Sequence, residues 1–216
     1  SNAHRWRASE GGRFNQQLCS VTCLTCRLGT YLPVLHIIHN IYTTQMSNNN
    51  NHQLGEAPWF HVIISTGFGT GFFPWGPGTF GGLIALLIWI GLYFVLSPLW
   101  LCVATVALVL GSLFIGVWTD NVMERYWGED PRTVIIDEYF GTWMATLPAL
   151  FVDGPAWRPI LLASLGFVLF RIIDITKPLG CRWVDRNIHG GWGCMLDDAL
   201  AAFYAIIVVT IVRFVI

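Results

Sequence analysis

The sequence predicts an all-α integral membrane protein: a helical bundle of about four or five transmembrane helices, preceded by a re-entrant or interfacial segment. Hydrophobic residues make up 54% of the 216 residues and charged residues only 12%, which is far more apolar than a soluble domain needs. The apolar residues also gather into stretches of about 20, the length at which a helix crosses the roughly 30 Å hydrocarbon core of a bilayer. Both observations place most of the protein surface in lipid.

Four apolar stretches are long enough, or nearly so, to span a bilayer, and a fifth is shorter. The four cover residues 79–98, 100–119, 134–152 and 196–216, and the fifth covers 159–173. We treat the fifth stretch as a span as well, although it is short for a comfortable crossing. Five crossings in series then determine which helix ends share a side of the membrane.

An apolar segment with an interrupted pattern precedes the first span. Residues 61–75 contain Gly67, Gly69, Gly71 and Pro74, which disfavour a continuous helix. Backbone that is not helical is tolerated at membrane depth only where protein or water covers it. We therefore expect this segment to lie at the membrane interface or to re-enter the membrane.

The first 57 residues are expected to stand apart from the membrane domain. Residues 1–3 resemble the scar that remains when an expression tag is cleaved, and the first methionine is Met46, at the start of a polar run. We expect residues 1–57 to be mostly disordered and residues 4–45 to be an extension upstream of the natural start. Residues 58–216 are then the membrane-embedded domain.

The charged residues argue against one class of partner and orient the bundle. A formal net charge of −1 leaves no basic surface for nucleic acid. Basic residues of the short loops are concentrated on the side where the first span begins, and by the positive-inside rule this excess makes that side cytoplasmic. That side carries Arg125, Arg132, Arg171, Lys177, Arg182 and Arg186, and the other side carries Arg158 and Arg213.

Acidic residues mark the ends of the apolar runs on the same side. An ionised carboxylate at membrane depth costs at least a few kcal/mol, so acids placed there usually pair with a cation or belong to a working site. The order of the crossings brings them to one face together with Gly78 and Thr79, and we expect a single site there. The acids are Asp137, Glu138, Asp174, Asp197 and Asp198.

The residue types at this face predict magnesium. The five carboxylates offer the hard oxygen donors that Mg²⁺ prefers, and no set of Cys or His residues has the spacing of a zinc site. Asp137 and Glu138 are neighbours at a predicted helix start, so one of them could ligate the cation while the other holds a water molecule or a nearby arginine. Adjacent Asp197 and Asp198 would repel each other unless a cation neutralises them or one of them stays protonated.

Two basic residues beside the acids predict an anionic, oxygen-rich ligand. Arg171 supplies a bidentate fork, and Lys177, the only lysine in the sequence, supplies a point charge. With Asp174 they form an i, i+3, i+6 row that shares one face if the helix reaches Lys177. Pro178 would then end that helix.

Magnesium, an arginine and a lysine at a membrane surface are the parts that phosphoryl chemistry needs, and a lipid phosphate is the natural substrate. His189 could protonate the leaving alkoxide, and Thr79 and Asn187 could contact the phosphate. The predicted catalytic residues are Asp137, Glu138, Arg171, Asp174, Lys177 and His189. The predicted substrate-binding residues are Thr79, Arg171, Lys177 and Asn187.

The same residues are compatible with two more classes of membrane protein. A proton- or cation-coupled transporter also uses intramembrane acids, although such acids belong near the midplane of broken helices. A phosphotransferase that joins headgroup alcohols to activated lipids uses similar metal-bound aspartates. This sequence lacks the long pattern of aspartates on one helix that we would expect of such an enzyme. In structural terms, Asp137 and Glu138 could simply complement a helix dipole, and Arg171 with Asp174 could form an interfacial salt bridge.

Four motifs in order resemble the phosphatidylglycerophosphatase A family. They are Pro77–Gly81, Asp137–Gly141, Phe170–Pro178 and His189–Asp198, within a similarity that covers roughly residues 58–216. The resemblance implies a Mg²⁺-dependent, all-α phosphatase of the bacterial inner membrane, with its active site on the cytoplasmic face. Its substrate would be phosphatidylglycerophosphate, and its products phosphatidylglycerol and inorganic phosphate in phospholipid biosynthesis.

The resemblance also implies roles for particular residues. The acidic positions of the family fall on the five carboxylates named above, and its basic positions fall on Arg171 and Lys177. The sequence departs from the family pattern at residues 179–181, where Leu-Gly-Cys replaces a proline and an aromatic residue, and at Ala202, where a glycine is usual. These departures concern packing and substrate fit more than the metal site.

Overall fold

The chain folds as a bundle of α-helices, and the part that the structure describes contains no β-strand. The structure is a computed structural model that describes residues 57–128, 131–177, 180–188 and 190–215. The predicted all-α membrane bundle is confirmed. The expectations for residues 1–57 concern a region that lies, except for Ala57, outside the described residues.

The helices differ widely in length. They are α1 (Trp59–Ser65), α2 (Pro77–Val95), α3 (Pro98–Trp127), α4 (Ile136–Ala145), α5 (Trp157–Thr176), α6 (Cys181–Asn187) and α7 (Gly191–Arg213), with 3₁₀ turns at Thr70–Phe72 and Leu147–Phe151. Among these described helices α2, α3, α5 and α7 are long and apolar enough to cross a membrane. Proline stands at the start of α2 and α3, where its missing N–H costs no hydrogen bond.

Three of the predicted spans differ from the structure in length. The stretch 100–119 is part of the 30 residues of α3, which continues to Trp127. The stretch 134–152 is α-helical over only the 10 residues of α4, because Pro148 has no N–H to donate and its ring clashes with the preceding turn. The stretch 159–173 was expected to be short, yet α5 has 20 residues. Charged residues near both ends of α5 lower the mean hydropathy there, but they do not end the helix.

The segment before α2 forms a short helix and a tight turn against the start of α4. Its turn contains left-handed residues, including Phe68 with φ of 58°. The backbone N–H of Ile135 donates to the Ser65 carbonyl at 2.8 Å, and the hydroxyls of Thr70 and Tyr139 lie 3.2 Å apart. These bonds fix the position at which α4, and therefore its acidic first turn, begins.

The core lies between α2, α4 and α5, and indole hydrogen bonds cross it. Trp143 Nε1 donates to the Ala85 carbonyl at 3.0 Å, and Trp89 Nε1 donates to Thr105 Oγ1 at 3.0 Å. A row of small residues on α7, Ala201, Ala202 and Ala205, packs around Phe170 of α5. Close packing of α4, α5 and α7 sets the depth at which their polar ends meet.

Gly166 is the point where α5 approaches the backbone of α4. A Cβ atom at this position would lie 2.5 Å from the Ala145 carbonyl oxygen. We predict that Gly166→Ala destabilises the protein by about 1–3 kcal/mol, because backbone must move to relieve the clash. Gly91→Ala is the matched control, since nothing lies within 4 Å of its added Cβ, and a better helix former there should not lower stability. Thermal unfolding in detergent measures both variants, and equal melting temperatures would contradict this packing.

Candidate active site

A cleft of about 420 Å³ opens where the end of α5 meets the starts of α4 and α7 and the last turns of α3. The first turn of α2 adjoins it, because the Cβ of any larger residue at Gly78 would overlap the Glu138 carboxylate. The order of the crossings predicted this meeting of motifs. The acids that line the cleft are Asp120, Glu124, Asp137, Glu138, Asp174, Asp197 and Asp198.

Three of these acids form a candidate cation site. One carboxylate oxygen from each of Asp174, Asp197 and Asp198 lies within 4.8 Å of the others. Asp197 and Asp198 are buried, with 6% and 4% of their surface exposed. Asp198 Oδ2 has no hydrogen-bond partner in the described part of the chain. An orphaned, buried oxygen beside two other carboxylates fits a hard divalent cation such as Mg²⁺.

Arg171 joins α5 to α4 by ion pairs. Its Nη1 atom donates to Glu138 Oε2 and, at 2.9 Å, to Asp174 Oδ2. The three side chains are only 12–15% exposed. One member of the Asp137-Glu138 pair thus holds the neighbouring arginine, which was one of the two arrangements expected for it.

The Glu138 carboxylate has a raised pKa despite this pairing. Burial and the charge of Asp137 raise its pKa to about 8, and the attraction of Arg171 only partly opposes them. Asp174 adds a further repulsion. Because the charges of neighbouring carboxylates contribute to this rise, a cation bound among them would lower the pKa of Glu138.

Lys177 lies just beyond the helix end. The helix α5 ends at Thr176, and Lys177 is left-handed with φ of 43°, a conformation that commonly follows the last residue of a helix. The shared face with Arg171 and Asp174 was expected only if the helix reached Lys177, and this condition is not met. Its Nζ atom instead lies 2.7 Å from Asp197 Oδ2, so it reaches the acidic group from the loop.

Asp137 faces another part of the cleft. Its Oδ2 accepts a hydrogen bond from the Cys194 thiol at 2.9 Å, and its Oδ1 accepts one from the Glu138 backbone N–H at 2.9 Å. It does not belong to the group of three carboxylates. The metal-binding roles predicted for Asp137 and Glu138 stay predictions.

The remaining predicted residues lie away from the cleft lining or outside the described residues. Thr79 is exposed on the first turn of α2. Asn187 is exposed, and its Nδ2 donates to the Trp183 carbonyl of its own helix at 2.7 Å. His189 lies outside the described residues.

Asp120 and Glu124, on the last turns of α3, line the cleft and were not predicted. A signal was present, because Asp120 ends the apolar run 100–119 on the same side as the other acids. The next residue, Asn121, accepts a hydrogen bond from the Gly191 backbone N–H at 3.0 Å. This bond ties the end of α3 to the start of α7.

Comparison with known proteins gives one family. The phosphatidylglycerophosphatase A family matches residues 63–213. Phosphatidylglycerophosphatase A of Escherichia coli is 37% identical over 145 residues, 67% of this chain and 77% of that protein. The Haemophilus influenzae protein of the same name is 32% identical over 155 residues, 70% of this chain and 88% of that protein.

A further relative carries a different name. A protein of Bacteroides thetaiotaomicron, named provisionally as a phosphatidylinositol-3-phosphatase, is 47% identical over 156 residues, 72% of this chain and 94% of that protein. No solved structure matches the chain.

Proposed function

We propose that this chain, which belongs to the phosphatidylglycerophosphatase A family, hydrolyses the phosphate monoester of phosphatidylglycerophosphate with the help of Mg²⁺. The observation that carries the proposal is the group of Asp174, Asp197 and Asp198 beside Arg171 and Lys177, in a cleft at one end of the bundle. Products are phosphatidylglycerol and inorganic phosphate.

In this proposal, acidic residues of the cleft bind the metal and basic residues contact the phosphate. Asp174, Asp197 and Asp198 would hold Mg²⁺, which polarises phosphorus-bound oxygens and lowers the pKa of a bound water when present. Arg171 uses Nη1 for its two carboxylate partners, and the fork of a guanidinium offers further N–H donors to a phosphate. Lys177 adds a second positive charge at the same group of acids, so both cations offset charge that develops on the phosphate oxygens.

The position of the cleft suits a lipid substrate. Exposed apolar side chains cover the long helices, for example Phe114 at 62% and Ile211 at 61%, so acyl chains stay beside the bundle while the headgroup enters the cleft. The acids lie toward one end of the bundle, within about two turns of helix ends and not at helix middles, which disfavours the transporter alternative. The excess of basic loop residues at this end supports a cytoplasmic face of the bacterial inner membrane.

A second candidate substrate follows from the Bacteroides relative. Its identity of 47% and coverage of 94% exceed the 37% and 77% of the Escherichia coli protein. Both names describe phosphate monoesters of membrane lipids, so the same cleft chemistry serves either headgroup. A phosphorylated inositol lipid is therefore the alternative to phosphatidylglycerophosphate.

Phosphate release from the two lipids tests this proposal. With purified protein in detergent, we predict release from phosphatidylglycerophosphate in the presence of Mg²⁺, background release after chelation, and recovery when Mg²⁺ is restored. Faster release from phosphatidylinositol 3-phosphate would assign the inositol lipid as substrate. Full activity in chelator would overturn the metal requirement, and release from neither lipid would overturn the proposed activity.

A further inference from the structure

A pocket of about 290 Å³ lies at the other end of the bundle from the cleft, where α5 begins and α7 ends. The end of the 3₁₀ turn Leu147–Phe151 also contributes to its lining. The 20 residues of α5 separate the two ends of the bundle by about 30 Å, because an α-helix rises 1.5 Å per residue. This pocket therefore has no part in the chemistry proposed for the cleft.

Two arginines from distant parts of the sequence line this pocket. Arg158 stands on the first turn of α5, and Arg213 is the last residue of α7. Both side chains are partly buried. The order of the crossings places both arginines on the side of the membrane opposite the acids, which the positive-inside rule leaves poor in basic residues. The packing of α5 against α7 thus gathers the scarce positive charge of that side into one pocket.

No carboxylate in the described part of the chain balances the charge of Arg213. Its guanidinium carbon lies 5.6 Å from the centroid of the Phe214 ring, and none of the ion pairs among the described residues includes it. Asp153, the acid in the lining, is exposed and forms no ion pair with Arg213. Two cations that share a pocket repel each other unless an anion lies between them.

The helix dipole does not explain the position of Arg158. The first turn of α5 contains no acidic residue and has no side-chain cap, and the positive end of a helix disfavours a cation. Arg213 differs, because the C-terminal end of α7 is a favourable place for a positive charge. Arg158 therefore adds to a positive potential that already exists at the pocket, and this combination attracts an anion.

Apolar side chains around the pocket favour a lipid as the source of that anion. Phe151 and Phe214 of the lining are 61% and 81% exposed, and Trp157 beside Arg158 is 54% exposed. Exposed aromatic residues next to arginines are typical of the level at which lipid headgroups lie. A pocket of this volume is at the lower end of the range for small ligands, so it holds a headgroup while the acyl chains remain against the outside of the bundle.

We propose that this pocket binds the phosphodiester headgroup of an anionic phospholipid, with the phosphate between Arg158 and Arg213. The planar fork of a guanidinium donates paired N–H groups to phosphate oxygens. A headgroup with an ammonium group brings a further cation to the two arginines, so the site favours phosphatidylglycerol over phosphatidylethanolamine. The inference does not rest on the proposed hydrolysis, because the lipid is bound here without a change in its bonds.

Native mass spectrometry of the full chain in detergent tests this site. The delipidated parent protein should retain phosphatidylglycerol about tenfold more strongly than phosphatidylethanolamine, and it should not retain glycerophosphoglycerol, which is the same phosphodiester without acyl chains. Arg213→Gln should lower the retention of phosphatidylglycerol about tenfold, because it removes a charge-assisted contact to the phosphate. Arg125→Gln is the matched control and should retain the lipid as the parent does, since Arg125 is exposed on the last turn of α3, at the cleft end.

A photoactivatable phosphatidylglycerol locates the contact, because this lipid is also the product proposed for the cleft. Cross-links from a group near the phosphate are expected in residues 151–162 and at the end of α7, and these need no variant.

Three results would overturn the site: cross-links confined to the cleft, equal retention by folded Arg213→Gln and the parent, or equal retention of the two lipids or of glycerophosphoglycerol. If Arg213→Gln does not fold, the lipid preference and the cross-links of the parent decide. A parent protein that binds phosphatidylglycerol here but hydrolyses no lipid phosphate would overturn the proposed function alone.

Discussion

Asp198→Asn is expected to lower the rate of phosphate release about a thousandfold. The substitution keeps the size of the side chain but removes a charge from the group of Asp174, Asp197 and Asp198, where the oxygens lie within 4.8 Å of one another. Charge stabilisation by a bound metal is worth several kcal/mol in the transition state, and each 1.36 kcal/mol corresponds to about tenfold in rate. Initial rates with saturating Mg²⁺ and phosphatidylglycerophosphate provide the measurement.

Stability separates this effect from misfolding. In metal-free buffer Asp198→Asn should melt at the same temperature as the parent or higher, because it removes a buried charge from a set of like charges. Added Mg²⁺ should raise the melting temperature of the parent more than that of the variant, since a ligand that binds only the folded state stabilises it. Activity within tenfold of the parent would contradict the assignment of Asp198 to the metal site.

Arg171→Met is expected to damage both activity and stability. It leaves Glu138 and Asp174 without the guanidinium that now contacts both. Removing one partner of a buried ion pair typically costs about 3–5 kcal/mol, and losing the cation that offsets phosphate charge should lower the rate by about a hundredfold or more. Thermal unfolding and initial rates measure the two effects.

Two other variants control for charge and shape. Arg125→Met removes an arginine that is exposed on the last turn of α3, so it should change neither stability nor rate. Arg171→Lys keeps the charge but not the planar fork, and should recover part of the stability and little of the rate. If Arg171→Met retained parental activity, Arg171 would have no role at the phosphate.

The membrane helices could be predicted from the sequence to within a few residues at most ends. The length of an apolar stretch identifies a membrane span. Because each crossing changes the side of the membrane, the order of the spans predicts which helix ends lie together, and the acidic motifs were expected on one side for this reason. The residues at which an α-helix begins and ends within an apolar stretch were harder to predict. Pro148 ends α4 early, whereas Arg158 and Asp174 continue α5 beyond its apolar run, because charged residues at membrane level lower hydropathy without breaking a helix.

The partner that each acid contacts could not be predicted from the sequence. Asp137 and Glu138 are neighbours, and only the packing of α4 against α5 and α7 directs Glu138 to Arg171 and Asp137 to Cys194. Asp120 was missed although it ends an apolar run as the other acids do. Thr79 was expected at the phosphate, yet its place on the first turn of α2 leaves it outside the cleft lining.

The contact between Gly78 and Glu138 links two distant positions of the chain. A side chain at position 78 would occupy the space of the Glu138 carboxylate, so an alanine there must displace the end of the Glu138 side chain. That displacement would disturb the contact of Glu138 with Arg171. We therefore expect substitutions at residues 78, 138 and 171 to be energetically coupled, although 93 positions separate the first from the last.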